Sequence, residues 1–223
     1  SQIELRIMAH ISRDEHLMEA FRKGEDIHAS TASKVYGVPI DQVSDEKRRN
    51  AKTVNFGVIY GISAYGLAQR IGISRKEAKN TIDTYFEEFP DVKASMNASI
   101  EKAREKGYVE TLMGRRRYLK DIHSNNSVVR GYAERNAINA PIQGTAADMI
   151  KAAMVGIQNR LWESKNDDVQ MLLQVHDELV FEGPKDRLEE IRPMIVDEMT
   201  QALTLDLPIE VETGMGRNWL EAH

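Results

Sequence analysis

The stretch from residue 169 to residue 182, VQMLLQVHDELVFE, constrains the fold more than any other part of the sequence. Apolar side chains alternate along it on both sides of its midpoint: Val169, Met171, Leu173, Val175, Leu179 and Phe181. A period of two is typical of β-strands. The ionisable run of His176, Asp177 and Glu178 falls where the two strands would meet, which predicts a hairpin with an acidic tip. A solvated turn is the simpler interpretation, and whether the tip is also a functional site depends on motifs elsewhere in the chain.

Composition restricts the class of protein. The chain has 223 residues, of which 41% are hydrophobic, enough for a substantial core in one large domain or two small ones. No apolar run approaches the ~20 residues that span a bilayer, so we expect a cytoplasmic protein without a membrane partner. The absence of cysteine excludes disulfides and thiolate metal sites. The net charge of -5 argues against a uniformly basic surface, although KRRNAK (47–52) and GRRRYLK (114–120) are locally basic.

Capping residues, glycines and prolines divide the remaining chain into helices. Ser44 is a predicted N-cap, Ser74 with Glu77 forms a capping-box pattern, Asp91 is a predicted N-cap, and Gly107 ends the helix that follows it. We expect helices over about 13–23, 26–36, 45–60, 74–89, 91–107, 126–138, 144–163 and 185–203, hairpins over 108–119 and 169–182, and a last strand over 208–216. This is an α+β fold, mostly helical around a small antiparallel sheet.

The helix predicted over 45–60 carries the strongest functional signal. Arg48, Lys52, Phe56 and Tyr60 are four residues apart, so they form a gently winding stripe about 18 Å long. Two cations followed by two aromatic rings match a nucleotide, whose phosphates need positive charge and whose base needs a flat partner. An amphipathic helix with a buried aromatic end is the competing interpretation. Two glycines, at 57 and 61, cost such a helix about 1 kcal/mol each, and we interpret them as room for a flat ligand.

Several longer motifs resemble the bacterial family A DNA polymerases. RRNAKTVNFGVIYG (48–61) resembles their nucleotide-binding helix in the fingers subdomain, QVHDELVFE (174–182) their palm hairpin, and SQIELRIMAHIS (1–12) their first palm motif. AINAPIQGTAADMI (137–150) and the ending GRNWLEAH fit the same family, so the resemblance covers the whole chain. It implies a right-hand polymerase architecture without the thumb: a palm strand at 1–12, fingers at 13–125 and palm at 126–223.

The resemblance implies roles for the hairpin tip in two-metal nucleotidyl transfer. Asp177 is expected to ligate the catalytic Mg²⁺ ions, of which the complete enzyme uses two. Glu178 is expected to support it, and His176 to contact the primer end. On the helix, Arg48 and Lys52 are expected to hold the incoming triphosphate, with Lys52 also able to give a proton to the pyrophosphate.

Further nucleotide contacts follow from the same resemblance. Phe56 is expected to stack on the base and sugar region, and Tyr60 to pack at the base of the insertion pocket. His28 matches a position near the triphosphate. Glu4 resembles the gate that excludes ribonucleotides, a task that an apolar pocket performs only ~10²-fold. A surface glutamate on a strand edge is the simpler interpretation of Glu4.

Another set of residues resembles contacts to primer-template DNA. Arg135, Asn139 and Gln143 share one helical face and match residues that touch the template and the primer. For Asn139, capping of the chain around Pro141 is the competing explanation. For residues 115–117 we favour nonspecific phosphate contact over a solvated turn.

The first motif departs from the family, in which an Asp and a Tyr precede SQIELR. That Asp is the other bridging metal ligand, so we expect the parent enzyme to be a DNA-directed DNA polymerase and this chain alone to be inactive. The expected partners are primer-template DNA and deoxynucleoside triphosphates, with no obligate protein partner. Two alternatives stay open: a binding module without turnover, and a single-subunit RNA polymerase, which Glu4 disfavours.

Overall fold

The computed structural model describes residues 2–165 and 167–222. The helices are α1 (Ile3–Ser12), α2 (Glu15–Arg22), α3 (Ile27–Tyr36), α4 (Asp45–Ile59), α5 (Ala64–Ile71), α6 (Arg75–Glu88), α7 (Pro90–Lys106), α8 (Ser127–Glu163), α9 (Lys185–Gln201) and α10 (Trp219–Ala222). The strands are β1 (Tyr108–Glu110), β2 (Arg116–Tyr118), β3 (Gln170–Val175) and β4 (Glu178–Glu182), and Ile40–Gln42 form a 3-10 turn. The expected mostly helical α+β class is confirmed. None of the described helices is both long and apolar enough to cross a membrane.

The chain divides into two compact units, which are residues 2–145 and, among the described residues, 146–222. The predicted boundary between fingers and palm at residue 126 lies within the first unit, and the assignment of subdomains stays a prediction. The two antiparallel pairs are separate two-stranded sheets, β1 with β2 and β3 with β4, rather than the one small sheet that we expected.

In the first unit, the predicted helix ends are largely confirmed. The Ser44 hydroxyl accepts from the Lys47 N–H at 3.3 Å, and Ser74 and Glu77 form the reciprocal capping box. Gly107, with φ of 75°, ends α7 in the left-handed conformation that glycine adopts without strain. These local hydrogen bonds position α4 and α6 as the sequence predicts.

The N-cap of α7 differs from the prediction. Phe89 is the cap and Pro90 is the first helical residue, which places Asp91 inside the first turn. The Asp91 N–H donates to Asp14 Oδ2 at 3.2 Å, while Asp14 Oδ1 accepts from the Leu17 N–H at 3.1 Å. One carboxylate that is only 1% exposed therefore caps the N-termini of both α2 and α7.

The predicted palm strand over residues 1–12 is wrong for the described part of that range, and Ser1 lies outside the described residues. Residues 3–12 form helix α1, and Leu5, Met8 and Ala9 are buried. Residues 5–9 are in fact all buried, and a short continuous buried run does not distinguish a helix from a strand by its periodicity. Glu4 therefore lies on a helix and not on a strand edge.

The two helices predicted over 126–138 and 144–163 are one 37-residue helix, α8, with Pro141 inside it. Proline removes one backbone donor, at a cost of about 3 kcal/mol in a helix interior. Burial outweighs this cost, since Ala137, Ile142 and Thr145 are at most 2% exposed. The Thr145 hydroxyl donates to the Pro141 carbonyl oxygen at 2.6 Å and accepts from the Leu112 N–H at 2.9 Å. The hydrogen bond from Leu112 connects the loop after β1 to α8.

The second unit packs its hairpin against helices. Ile157 and Leu161 of α8, Val169, and Ile191 and Ile195 of α9 form its buried cluster. The expected strand over 208–216 does not form: a strand needs a hydrogen-bonded partner, and neither of the two described strand pairs includes these residues. The predicted hairpin is confirmed with an irregular register between Met171 and Leu173, which breaks the simple alternation.

Candidate functional site

The predicted stripe on α4 forms in the first unit as a continuous face. Arg48 and Lys52 are exposed, while Phe56 and Tyr60 are half-buried with ring centroids 6.4 Å apart. Lys52 makes no hydrogen bond or ion pair with any described residue. The exposed cations lie toward the N-terminal end of the helix and the rings toward its C-terminal end, as the spacing predicts.

Arg48 is held by Asp26, which sequence reasoning did not include in the site. Arg48 Nε donates to Asp26 Oδ2 at 2.6 Å, and Asp26 Oδ1 accepts from the N–H groups of His28 and Ala29 at the start of α3. Burial raises the pKa of Asp26, but the hydrogen bonds from Ala29 and Arg48 outweigh it and leave the pKa below its usual value. Asp26 is thus ionised at neutral pH and orients the Arg48 guanidinium.

His28 lies beside this pair and is only 5% exposed. Its ring centroid is 5.9 Å from that of Phe56. Burial, opposed by the negative charge of Asp26 and assisted by the positive charges of Arg48 and Lys52, lowers the pKa of His28 to about 4. The structure therefore brings together the expected nucleotide contacts His28, Arg48, Lys52 and Phe56, with a neutral imidazole among the cations.

This neutral histidine predicts a pH dependence of stability. In the unfolded chain His28 has a pKa of about 6.5, so between about pH 6.5 and the folded pKa of about 4 the unfolded state binds more protons than the native state. The free energy of unfolding should therefore fall as the pH is lowered through that window. Urea unfolding at stepped pH measures it, with His28→Gln as the control that should flatten the slope. An unchanged slope in that variant would contradict the assignment.

Glu4, Tyr60 and Gln143 meet although they are far apart in sequence. The Tyr60 hydroxyl donates to Glu4 Oε2 and also hydrogen-bonds the Gln143 side chain. Burial, followed by the hydrogen bond and negative charge of Glu4, raises the pKa of Tyr60 to about 12. Three residues that the sequence analysis placed in separate motifs thus form one hydrogen-bonded group, which joins α1, α4 and α8.

The glycines of α4 do not provide the open space that we expected. Gly57 is buried, and a Cβ there would lie 3.1 Å from a methyl group of Ile62. Gly61 follows α4 with φ of 68°, and a Cβ there would lie 3.1 Å from Arg135 Cγ. The two glycines therefore permit close packing of the following loop and of Arg135, rather than the approach of a ligand.

On α8, the continuous helix keeps Arg135, Asn139 and Gln143 on one face. Arg135 and Gln143 are exposed, and the Arg135 guanidinium lies 6.0 Å from the ring centroid of Tyr132. Asn139 Oδ1 is buried and has no hydrogen-bond partner among the described residues. Asn139 Oδ1 therefore does not cap the chain around Pro141, and the competing explanation for this residue is not supported.

The basic run at residues 115–117 is engaged in contacts within the unit. Arg115 Nη2 donates to the Gly144 carbonyl oxygen at 3.0 Å, Arg116 Nε lies 3.1 Å from Glu110 Oε1, and Arg117 Nη2 lies 3.3 Å from Asn136 Oδ1. These contacts give the run a structural role. Phosphate binding by it stays a prediction.

In the second unit, the hairpin tip is a two-residue turn. His176 and Asp177 connect Val175 to Glu178, which face each other in the register. His176 has φ of 54°, the left-handed region that glycine and asparagine adopt most readily, and its carbonyl oxygen accepts from Gln174 Nε2 at 2.7 Å. Asp177 is exposed and makes no hydrogen bond or ion pair with any described residue. The tip therefore presents an unpaired carboxylate.

The residues of the tip suit a divalent ion only in part. Carboxylate oxygens are the ligands that Mg²⁺ prefers, and Asp177 is available for one. Across residues 2–165 and 167–222, no three His, Cys, Asp or Glu side chains converge in a way that could hold a metal ion. The tip therefore offers the unpaired carboxylate of Asp177, and no set of three possible ligands converges among the described residues.

Sequence reasoning missed two buried polar residues behind the stripe. Asn55 and Thr31 are both fully buried, and Asn55 contacts His28 on one side and Thr31 on the other. The available signal was the position of Asn55 one residue after the buried Val54, where the helical pattern of α4 calls for an apolar side chain.

The whole chain is similar to known polymerases. Residues 1–221 match the family model described as DNA polymerase family A. The chain is 54% identical over 223 residues to DNA polymerase I of Pseudomonas aeruginosa, which is 100% of this chain and 24% of that protein. It is 52% identical over 222 residues to DNA polymerase I of Bacillus caldotenax, of which it spans 25%. The chain thus spans about a quarter of the length of these curated relatives.

A solved structure shows the same fold. It is described as the POL domain of Pol1 from M. smegmatis in complex with DNA primer-template and dNTP. The TM-score is 0.95 at 47% sequence identity, and the match covers 100% of this chain and 39% of that one.

Proposed function

The chain belongs to DNA polymerase family A, and from this premise we propose that it forms the nucleotide-binding and primer-contacting part of an enzyme that extends DNA on a template. Its curated relatives are named DNA polymerase I, a DNA-directed DNA polymerase. The observation that carries the proposal is the α4 face, where two exposed cations, a neutral histidine and two rings are within reach of one ligand.

In this proposal, the α4 face binds a deoxynucleoside triphosphate. Lys52 and Arg48 bind the phosphates, and His28 donates a hydrogen bond to them. Phe56 stacks on the base and sugar region, because its ring is half-buried and flanked by His28 and Tyr60. Lys52 is also the candidate proton donor to the pyrophosphate leaving group, since no described residue occupies its ammonium.

Glu4 is proposed to exclude ribonucleotides. The hydrogen bond from Tyr60 fixes its carboxylate, so the carboxylate can act as a rigid wall and an acceptor beside the sugar. Glu4→Ala should therefore reduce the preference of the chain for deoxyadenosine triphosphate over adenosine triphosphate, to at most the ~10²-fold that an apolar wall alone provides. Competition binding of the two nucleotides measures the preference. Glu15→Ala, an exposed glutamate of α2 paired with Arg22, serves as the control.

Primer-template DNA is proposed to contact the α8 face and the hairpin tip. Arg135 and Gln143 are exposed for hydrogen bonds to acceptors that all base pairs share in the minor groove, and Asn139 has an unpaired buried oxygen beside them. His176 is the proposed contact to the primer end. These roles come from family membership and are consistent with the exposure of the side chains.

Family membership implies the use of divalent metal ions. We propose Asp177 as one Mg²⁺ ligand, with Glu178 supporting it, because carboxylates hold both hard cations of a two-metal site. Bound metal would stabilise the charge that develops during phosphoryl transfer.

Primer extension tests whether this chain turns over. With a recessed primer-template, four deoxynucleotides and magnesium, we expect no extension, because the described residues assemble no set of three metal ligands. Binding of nucleotide and DNA should remain, so the chain would act as a binding module of the polymerase. Extension that is lost in Asp177→Ala would contradict this expectation and show that another carboxylate completes the site. Failure to bind either ligand would contradict the proposed function itself.

A further inference from the structure

Asn55 lies behind the α4 face and contacts His28, the proposed donor to the nucleotide phosphates. It is 0% exposed, and its Nδ2 lies 3.1 Å from His28 Nδ1. On its other side, Oδ1 lies 3.1 Å from the hydroxyl of Thr31, which is also 0% exposed and lies 2.8 Å from the carbonyl oxygen of Ile27. The amide is therefore held between two helices, α3 and α4.

This arrangement determines where the imidazole carries its proton. An amide nitrogen can only donate, so His28 Nδ1 has to accept, and the single proton of the neutral ring then resides on Nε2. The ring is neutral because burial lowers its pKa to about 4. The Thr31 hydroxyl opposes rotation of the amide when it gives its single proton to the amide oxygen at 3.1 Å rather than to the Ile27 carbonyl oxygen at 2.8 Å.

We propose that Asn55 is a positioning residue, which fixes His28 as the Nε2–H tautomer so that the neutral imidazole donates a hydrogen bond to an anionic group of the nucleotide bound along α4. This inference rests on the proposed function. The reverse tautomer would direct a lone pair at the anion and would be repelled by it.

The surroundings of His28 support this role. Its charged neighbours are Asp26 at the start of α3 and Arg48 and Lys52 on α4, and the Phe56 ring packs 5.9 Å away. The two cations disfavour protonation of the ring, so a neutral donor of fixed direction is the form that can assist anion binding at neutral pH.

Nitrogen-15 NMR of the histidine rings tests the tautomer directly in the unliganded chain. We expect His28 to show a protonated Nε2 and an unprotonated Nδ1. In Asn55→Asp, whose carboxylate only accepts, Nδ1 should become protonated. A wild-type signal with the proton on Nδ1 would mean that the amide oxygen faces the ring, and it would overturn the proposal.

Nucleotide affinity separates positioning from a structural role. Asn55→Ala should weaken the binding of deoxyadenosine triphosphate by about tenfold, the equivalent of one hydrogen bond to a charged group, and should have no further effect in a His28→Ala background. Equal weakening in both backgrounds would overturn the proposal. Asn50→Ala is the matched control, since Asn50 lies on the same helix and hydrogen-bonds Tyr36 instead.

Together, the NMR and affinity measurements distinguish a failure of the role of Asn55 from a failure of the proposed function. If the wild-type chain binds no nucleotide, the proposed function fails and the proposal that depends on it falls with it. If nucleotide binds and the NMR tautomer is the reverse one, only the role of Asn55 is overturned.

Discussion

Replacing Asp14 by alanine is expected to lower the free energy of unfolding by about 3 kcal/mol, because it removes the acceptors of two helix N-termini at a buried position. Both carboxylate oxygens are used, one by the Leu17 N–H and one by the Asp91 N–H. In the variant, both donors would lose their partner where water hardly reaches. Asp14→Asn should be milder, since it keeps one acceptor oxygen.

The aromatic residues allow this effect to be assigned to one unit. Both tryptophans, Trp162 and Trp219, lie in residues 146–222, and all seven tyrosines lie in residues 2–145. Asp14→Ala should therefore shift the unfolding transition seen by near-ultraviolet circular dichroism of tyrosine. Ser63→Ala, which removes a single exposed N-cap bond, is the control and should cost about 1 kcal/mol. A loss for Asp14→Ala no larger than that of Ser63→Ala would contradict the double-cap interpretation.

Replacing Lys52 by alanine is expected to weaken the binding of deoxyadenosine triphosphate by about 10- to 100-fold, the equivalent of a charge-assisted hydrogen bond. The side chain is exposed and has no partner among the described residues, so its ammonium is available to a phosphate. For the same reason, stability should hardly change. Isothermal titration with magnesium present measures the affinity.

Lys47→Ala is the matched control for Lys52→Ala. Lys47 lies on the same helix, five residues away, which places it about 140° around the helix axis from Lys52. It carries the same charge, so any general effect of net charge appears in both variants. Equal weakening by the two substitutions would show that nucleotide affinity depends on the overall charge of α4 and not on a contact with Lys52.

Local signals predicted much of the fold. Ser44 and Ser74 start helices as their side chains indicate, and the alternation around His176 and Asp177 gives the hairpin. Where the prediction was wrong, long-range packing decided the outcome. Pro141 predicts a helix end, yet burial of the residues on both sides of it keeps α8 continuous. Residues 208–216 have the composition of a strand, but they belong to neither of the two described strand pairs.

The candidate site was predictable only where it follows one helix. The spacing of Arg48, Lys52 and Phe56 is a property of α4 alone, so the sequence reveals it. The hydrogen bond between Glu4 and Tyr60 joins residues 56 positions apart, and no periodicity encodes it. Asn55 was missed for a similar reason. A polar residue among apolar ones is visible in the sequence, but its partner on α3, His28, lies 27 residues away and is identified only by the structure.

Because the backbone at His176 is left-handed, selection for stability and selection for DNA binding should favour different residues at this position. A library of substitutions there that is selected for resistance to heat should enrich glycine and asparagine, which adopt this conformation with less strain. A library selected for retention of primer-template DNA should instead enrich histidine, the proposed contact. The histidine found in the chain is a residue that the backbone conformation alone does not favour, which is consistent with the proposed contact between His176 and the primer end.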